Sequence, residues 1–318
     1  THAETVKPAT ALSLGKDEGE VEEISYRAKG QGPTVILLPM LLSASQWDPI
    51  VNQLASDYCV ISLGGRHLGG VSFIDGRGRD PGYVRAVRSH VDEIEIQPGE
   101  TILDVGCGPG TLDRWLARRT NGANPIQSVD INGYFLREAT ALVEAEGLQD
   151  IITFGKGNAE DLPFPENNFD IVMSHTVMEE CDADKMLAEM IRVAKPGGRV
   201  AVMVRATDRR SLWNMPLNDT VREIVETPVT SVGVGGCADV SLYSRFGKSG
   251  LIDLRLFPTT LTVTDPESYS WRYYEPYIFS LLDEVGISQW QDAKAAAIKD
   301  GSIMMARWMH CAVGTKPQ

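Results

Sequence analysis

The residues most suggestive of chemistry form a glycine-rich turn after a short apolar run. Leu103–Gly110 reads LDVGCGPG, with glycines at positions 106, 108 and 110. Glycine lets a backbone turn sharply after a strand and lets a ligand approach with no Cβ in the way. The G-x-G-x-G spacing, with Pro109 inside it, favours a ligand that joins a nucleoside to an amino acid over a dinucleotide pyrophosphate. A plain strand-to-helix turn is the alternative for this motif taken alone.

A carboxylate follows where a second strand is expected to end. Asp130 closes the run Ser128–Asp130, twenty residues after Gly110. An acid at the carboxyl end of such a strand can accept hydrogen bonds from both hydroxyls of a ribose. The alternative is a cap for the following helix. The place of Asp130 after the glycine turn favours the ribose role.

Two further segments complete a pattern. Gly157–Phe164 reads GNAEDLPF, and Arg192–Val200 reads RVAKPGGRV, which predicts a helix end and a turn into the next strand. In this order the four segments closely resemble the class I S-adenosylmethionine-dependent methyltransferases, and within them the ubiquinone and menaquinone biosynthesis branch. The resemblance covers about residues 83–317 and is most specific over 101–204.

The resemblance implies a fold, a cofactor and a set of contacts. The fold is a Rossmann-like α/β sheet of seven mostly parallel strands with an antiparallel last strand. The cofactor is S-adenosyl-L-methionine, with its methionine end near Asp104 and the turn, its ribose on Asp130 and its adenine against Ile131. Asn158 departs from the family, which often has Asp there. The expected cofactor-binding residues are Asp104, Gly106, Cys107, Gly108, Gly110, Asp130, Ile131, Asn158, Ala159, Glu160 and His175.

His175 is the candidate catalytic residue. It ends the fourth strand of the pattern, where it can line the methyl-transfer pocket or act as a base, since an unperturbed histidine has a pKa near 6.5. A contact with cofactor through its backbone alone is the alternative. Family members commonly carry a histidine about where Glu180 or Cys181 stands, and this chain has none there.

The acceptor is expected to lie under an aromatic-rich stretch. Residues 269–279 hold most of the aromatic side chains of this stretch. Trp271 and Tyr274 are the predicted substrate contacts. Ordinary helix packing is the alternative explanation for them. The wider segment 266–300 is predicted to be a helical cover over the site.

Hydrophobic periodicity predicts the elements that position these residues. Apolar runs alternate with amphipathic helices from residue 101 onward, which predicts βαβ crossovers and a parallel sheet. The predicted strands are 101–105, 126–130, 151–156, 169–174, 198–205, 251–257 and 304–313. The predicted helices are 83–91, 111–119, 135–146, 184–193 and 242–249.

The chain before residue 79 is predicted to be separate from the methyltransferase domain, 79–318. Residues 1–23 are polar and acidic and predict a mobile arm. Residues 24–78 predict a small α/β appendage, with strands at 24–28, 34–38 and 58–62, a helix at 45–55 and a glycine-rich linker over 64–82. Its opening weakly resembles an α/β-hydrolase, but the chain has no G-x-S-x-G nucleophile motif. The appendage is therefore expected to be a cover or a dimer surface, which makes a homodimer a candidate assembly.

Composition narrows the classes of partner. The net charge of −13 over 318 residues argues against a nucleic-acid partner, which would need a basic surface. No apolar run approaches the roughly 20 residues that span a bilayer, so no membrane partner is expected. The five cysteines form no CxxC pair and favour a reducing cytoplasm, and no metal site is expected.

The predicted function is methyl transfer from S-adenosyl-L-methionine to an O, N, S or C atom of a small organic acceptor. One alternative is the same fold using bound S-adenosyl-L-methionine for a non-methylating reaction. The other is a catalytically silent binding subunit.

Overall fold

The structure, a computed structural model, describes residues 17–21, 24–38, 47–64, 69–228 and 232–318. Two compact units divide the chain, Thr1–Ser72 and Phe73–Gln318. Most of the predicted arm, 1–23, lies outside the described residues. The functional domain assignment, with its boundary at residue 78, stays a prediction.

The first unit contains a four-stranded sheet with the order β1-β2-β4-β3. The strands β3 and β4 are parallel, and the other two pairings are antiparallel. Three of these strands were predicted, while β1 was not. Positions 45 and 46 of the predicted helix lie outside the described residues. The elements are β1 Glu18–Val21, β2 Ile24–Lys29, β3 Thr34–Leu37, α1 Asp48–Leu54 and β4 Cys59–Gly64.

The rest of the chain alternates helices and strands as the sequence predicts, with additions. The helices are α2 Gly69–Arg77, α3 Pro81–Asp92, α4 Thr111–Arg119, α5 Gly133–Ala145, α6 Ala183–Val193, α7 Asp219–Glu226, α8 Ser241–Lys248, α9 Tyr269–Leu281 and α10 Glu284–Lys299. The strands are β5 Ile102–Val105, β6 Ile126–Asp130, β7 Ile152–Lys156, β8 Phe169–His175, β9 Ala194–Arg205, β10 Leu212–Trp213, β11 Ile252–Val263 and β12 Met305–Thr315.

The predicted linker over 64–82 is wrong, because α2 and the start of α3 occupy much of it. Its glycines suggested a loop, but at least one of them serves helix packing. A Cβ on Gly76 would lie 2.2 Å from Cδ1 of Tyr269, so only glycine lets α2 approach α9 this closely.

The large sheet has the order β11-β12-β9-β8-β5-β6-β7. The short strand β10 pairs with residues 305–306 of β12, on the edge that β9 uses further along. The pairings among β5 to β9 are parallel, and β12 runs antiparallel to its neighbours. The predicted mostly parallel sheet with an antiparallel last strand is confirmed. It has eight strands rather than seven, because two residues of β10 extend it beside β12.

The central strands are buried on both faces, which explains their continuous apolar runs. In β8, Val172 belongs to the hydrophobic cluster under α6 and α8, while Ile171 and Met173 belong to the cluster under α3, α4 and α5. Side chains alternate along a strand, so His175 points to the second face, toward α3. Because β5, β6, β7 and β8 run parallel, their carboxyl ends meet at one edge of the sheet.

A third hydrophobic cluster packs the helices α7, α9 and α10 together. Its centre is three tryptophans, Trp213, Trp271 and Trp290, all buried. The two helices α9 and α10 occupy most of the predicted helical cover. No helix in the described ranges is long and apolar enough to cross a bilayer.

Candidate active site

The glycine turn after β5 needs glycine for two different reasons. Gly106, Gly108 and Gly110 all have positive φ, at +80°, +56° and +69°. A Cβ on Gly106 would lie 2.2 Å from a methyl carbon of Val177, so that position is closed by packing. A Cβ on Gly108 would meet only Ile74, at 3.9 Å. The space where a Cβ of Gly108 would stand therefore has room for a ligand atom.

Asp130 ties the end of β6 to this turn. Its Oδ2 accepts a hydrogen bond from the Gly108 amide at 2.9 Å, and its Oδ1 accepts one from the Asn132 amide at 2.8 Å. Burial raises the pKa of Asp130, although these two amides act in the opposite direction. A carboxylate has about four lone-pair sites, so Asp130 can still accept bonds from ribose hydroxyls.

The buried carboxyl of Asp104, at the end of β5, has a second buried carboxyl, that of Asp113, as a neighbour. The pKa of Asp104 is held well above its usual range by burial and then by the charges of Asp113 and Asp130. Burial also raises the pKa of Asp113, on α4, to about 6. A neighbouring cation stabilises the charged form of a buried carboxyl and thereby lowers its pKa. A positively charged ligand bound near the end of β5 would therefore favour the charged form of these carboxyls.

Asp113 was missed by sequence reasoning. The only feature that singles it out is its position between Leu112 and Arg114, on the buried part of α4, where an acid is unexpected.

The thiol of Cys107, in the glycine turn, is also buried, and burial raises its pKa well above the usual range. Such a thiol is not a reactive nucleophile at neutral pH.

The expected adenine side carries an unusually exposed apolar residue. Ile131, directly after β6, is 66% exposed. Asn158, after β7, accepts a hydrogen bond through Oδ1 from the Glu160 amide at 3.0 Å. Glu160 itself accepts from the Asp182 amide at 2.9 Å and therefore helps to order the start of α6. The exposed Ile131 is suited to an aromatic ring, and the predicted cofactor contacts of Asn158, Ala159 and Glu160 stay predictions.

His175 lies at the end of β8 and has a histidine partner that sequence reasoning missed. Its Nε2 is 3.0 Å from Nδ1 of His90, on α3. Burial lowers the pKa of His90 to about 4. Burial, then His90, then Arg77 hold the pKa of His175 well below its usual range. Both rings are therefore neutral at neutral pH.

The helix α2 covers this edge of the sheet. Phe73 of α2 stacks on Tyr273 of α9, with ring centroids 3.7 Å apart. The guanidinium of Arg77 lies 4.4 Å from the ring centroid of Tyr83. Asp75 forms a close ion pair with Arg114 of α4. Because Ile74 also lies near Gly108, α2 belongs to the wall of the site.

The two predicted substrate residues occupy different environments. Trp271 is fully buried, with its ring 5.3 Å from that of Trp213. Tyr274 lies under the guanidinium of Arg307, 4.3 Å from its ring centroid, and lines a small cavity with it. The surroundings of Trp271 indicate a packing role, while Tyr274 can reach a ligand. Substrate binding by either residue stays a prediction.

No group of three or more His, Cys, Asp or Glu side chains that could hold a metal ion occurs within the described ranges.

Comparisons with known proteins give a consistent result. A family model described as a methyltransferase domain matches residues 103–202. Methyltransferase GfsG of Streptomyces halstedii is 32% identical over 202 residues, which are 62% of this chain and 69% of that protein. Demethylmenaquinone methyltransferase of Symbiobacterium thermophilum is 38% identical over 113 residues, 35% of this chain and 45% of that protein. The ubiquinone/menaquinone biosynthesis C-methyltransferase UbiE of Psychromonas ingrahamii is 34% identical over 121 residues, 38% of this chain and 48% of that protein.

The last two alignments span less than half of the relatives' own length. Among solved structures, phosphoethanolamine N-methyltransferase 2 of Haemonchus contortus, in complex with S-adenosyl-L-methionine, gives a TM-score of 0.50 at 14% identity. That match covers 95% of this chain and 71% of the other. At this identity the likeness supports the fold.

Proposed function

Because the chain belongs to the class I S-adenosylmethionine-dependent methyltransferases, we propose that it transfers the methyl group to a small organic molecule. The observation that carries the proposal is the open glycine turn at Gly108, held by Asp130 at the carboxyl edge of the sheet. The matched relatives are named as methyltransferases, which favours methyl transfer over a non-methylating reaction or a silent subunit.

The residues at the carboxyl edge of the sheet offer the groups that S-adenosyl-L-methionine needs. S-adenosyl-L-methionine, when bound, supplies a methyl group on a positively charged sulfur. A nucleophile can attack the methyl carbon, with the sulfur as the leaving group. Asp104, with Asp113 beside it, would lie near the methionine end, where the positive charge of the ligand would draw the raised pKa of the Asp104 carboxyl down and favour its charged form. Asp130 would accept hydrogen bonds from the ribose hydroxyls, and Ile131 would pack on the adenine. The turn at Gly108 lets the backbone approach without a Cβ in the way.

The acceptor lies between His175 and the helices α2 and α9. The stacked rings of Phe73 and Tyr273 join these two helices and help to exclude water from the reaction. We place Tyr274 rather than Trp271 on the acceptor side, because the Trp271 ring is enclosed by other tryptophans. Positioning of donor and acceptor accounts for much of the rate in such a displacement.

The charge of the chain supports a small acceptor. A net charge of −13 repels the phosphate backbone of nucleic acids. Two relatives are named for ubiquinone or menaquinone biosynthesis, and a small aromatic acceptor is in keeping with those names.

Fractionated cell extract tests the proposal. The purified protein and S-adenosyl-L-methionine are incubated either with the low-molecular-weight filtrate or with the retained macromolecules, and S-adenosylhomocysteine is measured. We expect the filtrate to stimulate its formation. Stimulation by the macromolecular fraction alone would contradict a small-molecule acceptor. The Asp130→Ala variant is the matched negative control.

A further inference from the structure

Two buried histidines form a hydrogen-bonded pair next to the site. His90 Nδ1 and His175 Nε2 are 3.0 Å apart. Their rings meet edge to face, with centroids 4.9 Å apart and an interplanar angle of 72°. They are 85 residues apart in sequence. The cluster under α3 is otherwise apolar, and two buried polar rings in such a cluster are unusual.

The pair lies level with the glycine turn. In the parallel register of β5 and β8, Met173 is opposite Asp104. His175 follows two residues later and is therefore level with Gly106, where the turn begins. This is the edge of the sheet at which the methyl donor is proposed to bind.

The contacts of the pair fix which nitrogens carry hydrogen. His90 Nε2 lies 3.4 Å from the carbonyl oxygen of Ala312, which can only accept a hydrogen bond. A neutral imidazole has a single N–H, so the hydrogen of His90 is on Nε2 and its Nδ1 is an acceptor. His175 must then donate from Nε2. The remaining nitrogen, Nδ1 of His175, keeps a free lone pair.

That lone pair has no protein partner. Nδ1 of His175 is buried and makes no hydrogen bond within the described part of the chain. A buried polar atom without a partner is uncommon and is stabilised when a ligand supplies a donor. The low pKa values of both rings and the nearby positive charge of Arg77 keep His175 neutral until a proton is delivered.

We propose that His90 is a positioning residue, which holds His175 so that its Nδ1 accepts the proton of a hydroxyl group on the methyl acceptor. The inference rests on the proposed function and adds to it the acceptor class, since it requires O-methylation. The hydroxyl oxygen forms the bond to the methyl carbon, the carbon–sulfur electron pair stays on sulfur, and the hydroxyl proton moves to Nδ1 of His175. The sulfur loses one positive charge and the imidazole gains one, so the total charge is unchanged.

A hydroxyl acceptor explains the arrangement better than the other nucleophiles. A neutral hydroxyl is a weak nucleophile and gains most from a base that accepts its proton during transfer. A neutral amine already carries a nucleophilic lone pair. The hydrogen bond from His175 Nε2 to His90 strengthens as His175 gains charge, because hydrogen bonds to charged groups are the stronger ones.

Nitrogen-15 NMR of the imidazole rings tests the proposed tautomers without any acceptor. The sequence has five histidines, so each ring can be assigned by single substitution. At neutral pH we expect N–H at Nε2 in both rings and a bare Nδ1 on His175. His90→Asn, whose amide oxygen can replace Nδ1 as the acceptor, should keep this state of His175. His90→Leu should not keep it. A wild-type His175 protonated at Nδ1, or an unchanged His175 in His90→Leu, would overturn the positioning role.

Kinetics with the extract filtrate tests the consequence. We expect His90→Leu to lower the rate of S-adenosylhomocysteine formation at a fixed amount of filtrate by about ten- to a hundredfold, with S-adenosyl-L-methionine affinity by calorimetry unchanged. His90→Asn should restore most of the loss, which a purely structural role would not require. A labelled methyl group should be recovered on oxygen, and recovery on carbon, nitrogen or sulfur would overturn the acceptor class. Failure of the proposed function itself is distinguishable, because the wild-type protein would then form no S-adenosylhomocysteine.

Discussion

Replacing Asp130 with alanine separates cofactor binding from folding. The carboxylate accepts from the Gly108 amide at 2.9 Å and from the Asn132 amide at 2.8 Å. Asp130→Ala removes the acceptor for both amides and for the ribose hydroxyls. Burial raises the pKa of this carboxyl, so the fold bears a desolvation cost to keep it there. The loss should therefore appear mainly in cofactor affinity.

The expected magnitude follows from the hydrogen bonds lost. A hydrogen bond to a charged group contributes about 1.5–3 kcal/mol. Losing one ribose hydroxyl bond therefore raises the Kd at least about tenfold, and losing both raises it about a hundredfold or more. The freed Gly108 amide lets the turn relax and adds to the loss.

Isothermal titration of S-adenosyl-L-methionine measures the effect directly. Asp292→Ala is a matched control, because Asp292 is exposed on α10 and the substitution removes the same charge. We expect the control to bind like the wild type. An affinity for Asp130→Ala within about twofold of the wild type, or an equal loss in Asp292→Ala, would refute the ribose assignment.

Three further predictions concern the core, the histidine pair and the first unit. Trp271→Ala should lower the free energy of unfolding by about 3–5 kcal/mol, because its ring is fully buried, and should leave cofactor affinity nearly unchanged. Denaturant unfolding and calorimetry check this, and a stable variant with lost turnover would instead favour substrate contact. The folded protein holds the pKa of His90 near 4, below the unfolded value, so the stability provided by neutral His90 is present above pH 6.5 and is lost as pH falls toward 4. Between pH 7 and 4.5, wild type should therefore lose about 2 kcal/mol more stability than His90→Leu, and equal losses in denaturant unfolding would contradict it. The chain should not hydrolyse p-nitrophenyl acetate enzymatically, since it has no nucleophile motif. Hydrolysis abolished by changing one serine would show otherwise.

The sheet was predictable because its central strands are buried on both faces. Runs such as Ile102–Val105 and Ile126–Asp130 read as continuous apolar segments, and their ends place Asp104 and Asp130 at one edge. The glycine turn was predictable for a related reason, since three glycines at this spacing are needed where φ is positive.

The wall of the site was less predictable because tertiary contacts stabilise it. The helix α2 is rich in glycine and has a weak apolar period, so its sequence favours a loop. The stack of Phe73 on Tyr273 and the ion pair of Asp75 with Arg114 stabilise it as a helix. Neither pair is visible in local sequence.

The histidine pair was hidden for a different reason. His90 occupies a position on the buried face of α3, with Ala86, Val87 and Val91, where a histidine reads as part of the core. Its partner is distant in sequence, and no spacing rule joins a helix before the sheet to the end of its fourth predicted strand. Only the folded chain brings Nδ1 of His90 and Nε2 of His175 within 3.0 Å of each other.

Hydrogen exchange with and without S-adenosyl-L-methionine tests whether the cofactor binds at the carboxyl edge of the sheet, because it reports both binding and its location. We expect saturating S-adenosyl-L-methionine to slow exchange in three segments, 104–110, 130–132 and 158–160, and S-adenosylhomocysteine to protect the same segments. The segment 284–299, on α10, should exchange at the same rate in both states. Absence of protection in all three segments, or protection confined to other parts of the chain, would contradict cofactor binding at this edge of the sheet.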